Sequence, residues 1–91
     1  MELYRFFIFG HVQGVFYRKF VSSAAMKRQF RGYVKNLADG SVEVVVELTD
    51  EDLEEFMRIL KEGSPLSTVE NISYEVIADA DLVYDGFEIR Y

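Results

Sequence analysis

The chain has no cysteine and a single histidine among its 91 residues. The missing thiols exclude disulfides, a thiol nucleophile, zinc–thiolate sites and iron–sulfur clusters. One histidine, His11, excludes a multi-histidine metal site. No apolar run approaches the ~20 residues that a membrane span needs. The opening MELYRFF has an acid at position 2 and no basic leader before its apolar run, unlike a secretory signal. These absences fit a protein of the reducing cytoplasm and predict no membrane partner.

What is present describes a small globular protein. The length fits one compact domain, residues 1–91. Hydrophobic residues make up 49% of the chain and aromatics 15%, enough to supply a core. The net charge of −6 hides an asymmetry. Residues 1–36 carry seven basic side chains against Glu2, a net +6; residues 37–91 carry three basic and fifteen acidic ones, a net −12. The whole molecule should therefore repel polyanions such as nucleic acid, while a local basic pocket still attracts a small anion. For most of these charges a plain solvated surface is an equally good account, but not for Arg18.

Hydrophobic periodicity divides the chain into alternating strands and helices. Residues 3–9, LYRFFIF, suit a strand with Tyr4, Phe6 and Ile8 on one face. Phe16, Phe20 and Ala24, with Val21 and Ala25, recur at three to four residues, a helical stripe reaching about Arg28. Residues 30–36 return to period two, with Phe30, Gly32, Val34 and Asn36 facing together. Asp39-Gly40 is a turn pair, because both residue types tolerate positive φ. Val42, Val44, Val46 and Leu48 then share a strand face. Thr49 is a good N-cap, and Asp50, Glu51 and Asp52 favour the positive end of the following helix. That helix carries Leu53, Phe56, Met57 and Leu60, and Gly63 and Pro65 end it. Residues 68–78 alternate, with Ile72, Tyr74 and Val76 together. An acidic, turn-rich segment, 79–86, leads to a short strand with Phe87, Ile89 and Tyr91.

The order is β-α-β-β-α-β plus a short C-terminal fifth strand. Two helices covering one face of a mostly antiparallel sheet make an α+β, ferredoxin-like α/β sandwich, and right-handed crossovers imply the four-strand order 4-1-3-2. The pattern leaves the place of the fifth strand open.

The stretch GHVQGVFYR, residues 10–18, stands between the first strand and the first helix. The first N–H groups of a helix have no internal partners and carry partial positive charge. Glycines at 10 and 14 let the backbone turn tightly and admit a ligand closely. A concave row of amides of this kind binds anions without a metal. Arg18 lies about one turn beyond Gly14, and its planar guanidinium can grip two phosphate oxygens. The glycines alone are also satisfied by a plain turn. An arginine in the first helical turn opposes the dipole, however, and an anion between it and the amides resolves that conflict. Lys19 reads as a surface charge, His11 as a solvent-facing loop residue, and Phe16 and Tyr17 as helix packing. Asn36, on the inward parity of its strand, has a carboxamide that both donates and accepts. It is either a turn residue or a group that holds water beside a bound phosphate.

The two segments together resemble the acylphosphatase family. GHVQGVFYR (10–18) is similar to the family's first signature and GYVKNLADGSVEV (32–44) to its second. Gly63, Pro65 and Val69 resemble its later region, with Ser64 inserted between the glycine and the proline. The resemblance implies that Arg18 binds phosphate and that Asn36 positions water. It also implies that the backbone amides of Gln13, Gly14, Val15, Phe16, Tyr17 and Arg18 cradle the phosphate. It implies hydrolysis of small acyl phosphates to a carboxylate and inorganic phosphate, with no metal or organic cofactor. The sequence departs from the family at Gln29, where glycine is common at a helix end, and at Tyr33, Lys35 and Phe9. None of these removes a presumed catalytic group.

Two other functions use the same fold. Phe7, Phe9 and Tyr33 on the open sheet face could stack RNA bases, but the recognised RNA-binding aromatic pattern is absent and the chain is acidic. A non-enzymatic module could bind phosphate without turning substrate over. The expectation carried forward is a monomeric enzyme whose partners are a small-molecule acyl phosphate and its product phosphate, with no nucleic-acid partner.

Overall fold

Seven elements follow the expected order. They are β1 (Glu2–His11), α1 (Tyr17–Lys27), β2 (Gly32–Asn36), β3 (Val42–Leu48), α2 (Asp50–Glu62), β4 (Thr68–Ile77) and β5 (Phe87–Arg90). The computed structural model describes residues 1–77 and 84–91; most of the acidic, turn-rich stretch expected over 79–86, namely 79–83, lies outside the described residues.

The strands form one sheet in the order β4-β1-β3-β2-β5. The first four stand in the expected 4-1-3-2 arrangement, and each of those pairs is antiparallel. β5 occupies the place that the pattern left open. It runs parallel to β2, from Gly32 opposite Phe87 to Lys35 opposite Arg90. This puts the end of the chain beside the end of β2, where Asn36 stands.

The alternating residues meet on one face. Tyr4, Phe6 and Ile8 of β1, Val34 of β2, and Val42, Val44, Val46 and Leu48 of β3 are buried there with Tyr17, Val21 and Ala25 of α1 and Phe56, Ile59 and Leu60 of α2. Phe56 packs on both Phe6 and Phe30, with ring centroids 5.5 and 5.8 Å apart. Thr49 caps α2 as expected, accepting a hydrogen bond from the Asp52 amide at 3.3 Å. Ile59 joins the core although the stripe read from the sequence omitted it. β4 is an edge strand, so its apolar face is only half covered: Tyr74 and Val76 remain exposed.

Two boundaries differ from the sequence reading. β1 continues through Gly10 to His11, because a bulge between Phe9 and Gly10 keeps it paired with β4. Gly10 has φ 132°, and a side chain there would strike the carbonyl oxygen of Thr68. His11 is therefore the last strand residue, opposite Thr68, rather than a loop residue. At the other boundary, Phe16 is not helix packing. It is the N-cap of α1, in the left-handed conformation at φ 62°, and it is 70% exposed. Tyr17 is the buried aromatic: its hydroxyl donates to the Leu60 carbonyl at 2.7 Å, linking α1 to α2. Gln29 takes the left-handed conformation at φ 59°, as its helix-end position implied.

Candidate active site

The loop from β1 to α1 is short because β1 runs to His11. Val12 and Val15 are buried and anchor it to the core, while Gly14 and Phe16 take positive φ of 71° and 62° and curl the backbone between them. Among the described residues, no amide from Gln13 to Arg18 donates to a backbone carbonyl or a side chain; the helix ladder begins with Phe20 donating to Phe16 at 2.9 Å. Free amides on a curled loop at a helix start are the elements of an anion site.

Two side chains hold this loop in place, and neither was singled out from the sequence. Gln13 sends its carboxamide nitrogen across to the β2–β3 connection, donating to the carbonyls of Leu37 and Ser41, both at 2.8 Å. Leu37 follows Asn36 directly, so this side chain ties the loop to the strand end that carries Asn36. Ser64, inserted between Gly63 and Pro65, is buried, and its hydroxyl donates to the Val15 carbonyl at 2.6 Å. Neither contact is legible in the motifs, because each joins segments at least 24 residues apart. Replacing Gln13 with alanine should leave the fold intact, since the residue is only half buried. It frees two carbonyls and lets the loop move relative to Asn36. The expected result is a fall in kcat/KM of about tenfold, the scale on which small misplacements act, read from steady-state acyl phosphate hydrolysis.

Loop, helix start and strand ends enclose a cavity of about 470 Å³, lined by Val12, Gly14, Phe16, Tyr17, Arg18, Lys19, Asn36, Ile89 and Tyr91. The two side chains singled out from the sequence, Arg18 and Asn36, thus meet in one pocket although 17 positions separate them. Of the six residues expected to offer amides, Gly14, Phe16, Tyr17 and Arg18 line it; Gln13 and Val15 do not. Lys19, read as a surface charge, is exposed but also stands on the pocket wall.

Arg18 is held from the far side. Its guanidinium donates to the Arg90 carbonyl at 3.0 Å and lies 4.7 Å from the centre of the Tyr91 ring. It makes no ion pair among the described residues, which leaves the rest of its donor fork for a ligand. Asn36 offers the opposite chemistry. Its Oδ1 is buried and finds no donor among the described residues. A buried acceptor without a partner is costly, and in a pocket it marks a place for a ligand or a water. Among the described residues, no group of three or more histidine, cysteine, aspartate or glutamate side chains is placed to hold a metal ion. No described helix is long and apolar enough to cross a membrane.

Tyr33 and Lys35 lie on β2 outside this pocket. The Tyr33 ring is covered by the Arg90 guanidinium at 4.0 Å, and its hydroxyl donates to Glu43 at 2.8 Å. Burial first, and then the Glu43 carboxylate, push the phenol up to about 12, so it remains a neutral donor. A larger concavity lies between α2 and Tyr74, but four acids, Asp50, Glu51, Glu54 and Glu55, crowd its wall with two basic side chains, Arg58 and Lys61, and none of the candidate residues line it.

An α+β sandwich with an arginine beside free amides at a helix start has the make-up of a small phosphate-binding protein. The acylphosphatase family model matches residues 4–89. An acylphosphatase of Bacillus licheniformis is 38% identical over 91 residues, covering all of both chains. One from Bacillus subtilis is 46% identical over 73 residues, or 80% of each chain. The crystal structure of acylphosphatase from Bacillus subtilis superposes with a TM-score of 0.91 at 40% identity, over the full length of both chains. The chain belongs to the acylphosphatase family, and it is an enzyme that hydrolyses acyl phosphates.

Proposed function

We propose that the chain cleaves the carboxyl–phosphate anhydride of small acyl phosphates, with Arg18 and the loop amides holding the phosphoryl group and Asn36 orienting the attacking water. The observation that carries this reading is the shared pocket of Arg18 and Asn36, one a guanidinium without an ion pair and the other a buried acceptor without a donor among the described residues.

An acyl phosphate leaves as a carboxylate, a good leaving group that needs no strong general acid. The protein's tasks are to bind the phosphoryl oxygens, align water and stabilise charge as the bond breaks. Arg18 and the amides from Gln13 to Arg18 supply the positive field. A water that donates one hydrogen to Asn36 Oδ1 turns a lone pair toward phosphorus. As the new oxygen–phosphorus bond forms, the bond to the acyl oxygen breaks and its electron pair leaves with the carboxylate. The water's proton passes to a phosphoryl oxygen, so no protein base is required. This fits a pocket whose wall, among the described residues, has no acid and no histidine. The reading includes a single 1–91 domain acting as a monomer in the cytoplasm, without a nucleic-acid or membrane partner.

Hydrolysis in ¹⁸O-labelled water tests the bond that breaks. The label should appear in inorganic phosphate. Label in the carboxylate would mean attack at the acyl carbon, and the role given to Asn36 would fall.

A further inference from the structure

Phosphate alone does not account for the pocket. A phosphate takes the room of roughly two to three waters at ~30 Å³ each, far less than the 470 Å³ available. The remaining wall is rich in carbon: Phe16 from the helix start, with Ile89 and Tyr91 from the last strand. Ile89 shares the parity of Phe87, which is buried in the core, so it lies on the helix-side face of β5, and Tyr91 follows just beyond the strand. Tyr91 stands one residue beyond the Lys35–Arg90 pair, as Asn36 does on β2, which brings both to the same end of the sheet.

Phe16 is the least comfortable residue of this wall. A bulky side chain at φ 62° is an outlier, with a backbone cost of about 1–2 kcal/mol. Its ring is 70% exposed, so core packing does not offset that cost. It gives the helix no side-chain cap either. Glycine or asparagine would fit the left-handed position with less strain. Backbone strain, an exposed aromatic ring and a place on the cavity wall coincide in this one residue, and a bound ligand accounts for all three.

We infer that Phe16, Ile89 and Tyr91 form the acyl side of the site and favour acyl phosphates with a flat, apolar acyl group over those with a small one. The inference rests on the phosphoryl group being held by the loop and Arg18 as proposed above. With the phosphate at the amides, the acyl group extends along this carbon-rich wall of the same pocket. An aromatic acyl ring then covers Phe16 in an offset or edge-on contact and removes its exposed surface from water.

The test compares kcat/KM for benzoyl phosphate and acetyl phosphate in the wild type, Phe16→Ala and Phe16→Tyr. The ratio of the two values cancels the intrinsic reactivity of each substrate when variants are compared. Phe16→Ala should lower the benzoyl-to-acetyl ratio about tenfold, equivalent to about 1.4 kcal/mol, mainly through KM for benzoyl phosphate. Phe16→Tyr keeps an aromatic face and should restore the ratio. A ratio in Phe16→Ala within about twofold of the wild type overturns the inference, whether both rates hold or both fall together. Loss of the ratio in Phe16→Tyr as well also overturns it. Arg18→Ala, measured alongside, tests the phosphate assignment separately: it should depress both substrates together whatever Phe16 does.

Discussion

Arg18→Ala should cut kcat/KM for an acyl phosphate by on the order of 10²–10³-fold, the loss seen when one preorganised donor to a developing anion is removed. Competitive inhibition by inorganic phosphate should weaken in the same variant, because the product engages the same donor fork. Stability should barely move. In the folded protein Arg18 contributes one exposed hydrogen bond, to the Arg90 carbonyl, and a stack on Tyr91, a residue that is itself 92% exposed. Losing such contacts costs little, and removing a cation from the first turn of α1 relieves an unfavourable dipole interaction of about 0.3–1 kcal/mol. Arg18→Lys keeps the charge but not the planar fork, so it should recover part of the phosphate affinity and little of the turnover. Kinetics near wild type in Arg18→Ala, with phosphate inhibition unchanged, would place the phosphate site elsewhere.

Asn36→Ala should separate the two halves of the site. The expected result is a fall in kcat of about 10²-fold, with phosphate inhibition changed by no more than about threefold. The same substitution should leave the melting temperature unchanged or raise it. Asn36 Oδ1 is buried without a donor among the described residues, and an unpaired buried carbonyl costs roughly 1–3 kcal/mol. A residue kept only for structure would behave in the opposite way: its loss would lower stability and leave kcat alone. Asn36→Asp adds a test of sign. A carboxylate at this position still accepts a hydrogen bond from water but repels a phosphoryl dianion, so KM should rise where Asn36→Ala leaves it in place. If kcat survives in Asn36→Ala, another group positions the water.

Much of the scaffold could be read in one dimension because its driving force is periodic. Val42, Val44, Val46 and Leu48 alternate, and all four are buried. Thr49 caps α2 through the amide of its own third helical residue, an interaction within four residues. Arg18 and Asn36 were legible for another reason: each sits in a short motif whose neighbours resemble one family's signatures. The structure adds that they share a cavity. The bracing contacts of Gln13 and Ser64 carried no such mark, although Gln13 itself stands in the first motif. A glutamine in a loop and a serine before proline look like solvent residues until the chain segments they tie together are adjacent in space. Phe16 shows the limit of periodicity itself. It matches the apolar spacing of α1, yet the loop needs a left-handed residue at that point, and the turn turns its ring out of the core and onto the pocket wall.

The amino-acid sequence alone determined the element order, the buried faces and the two side chains of the candidate site, because alternation, helical spacing, capping and motif are all local. Three features were decided only by tertiary structure: the place of β5 beside β2, the bracing of the loop by Gln13 and Ser64, and the carbon-rich wall of Phe16, Ile89 and Tyr91. Each depends on contacts between segments far apart in the chain, whose energies exist only once the sheet has brought those segments together.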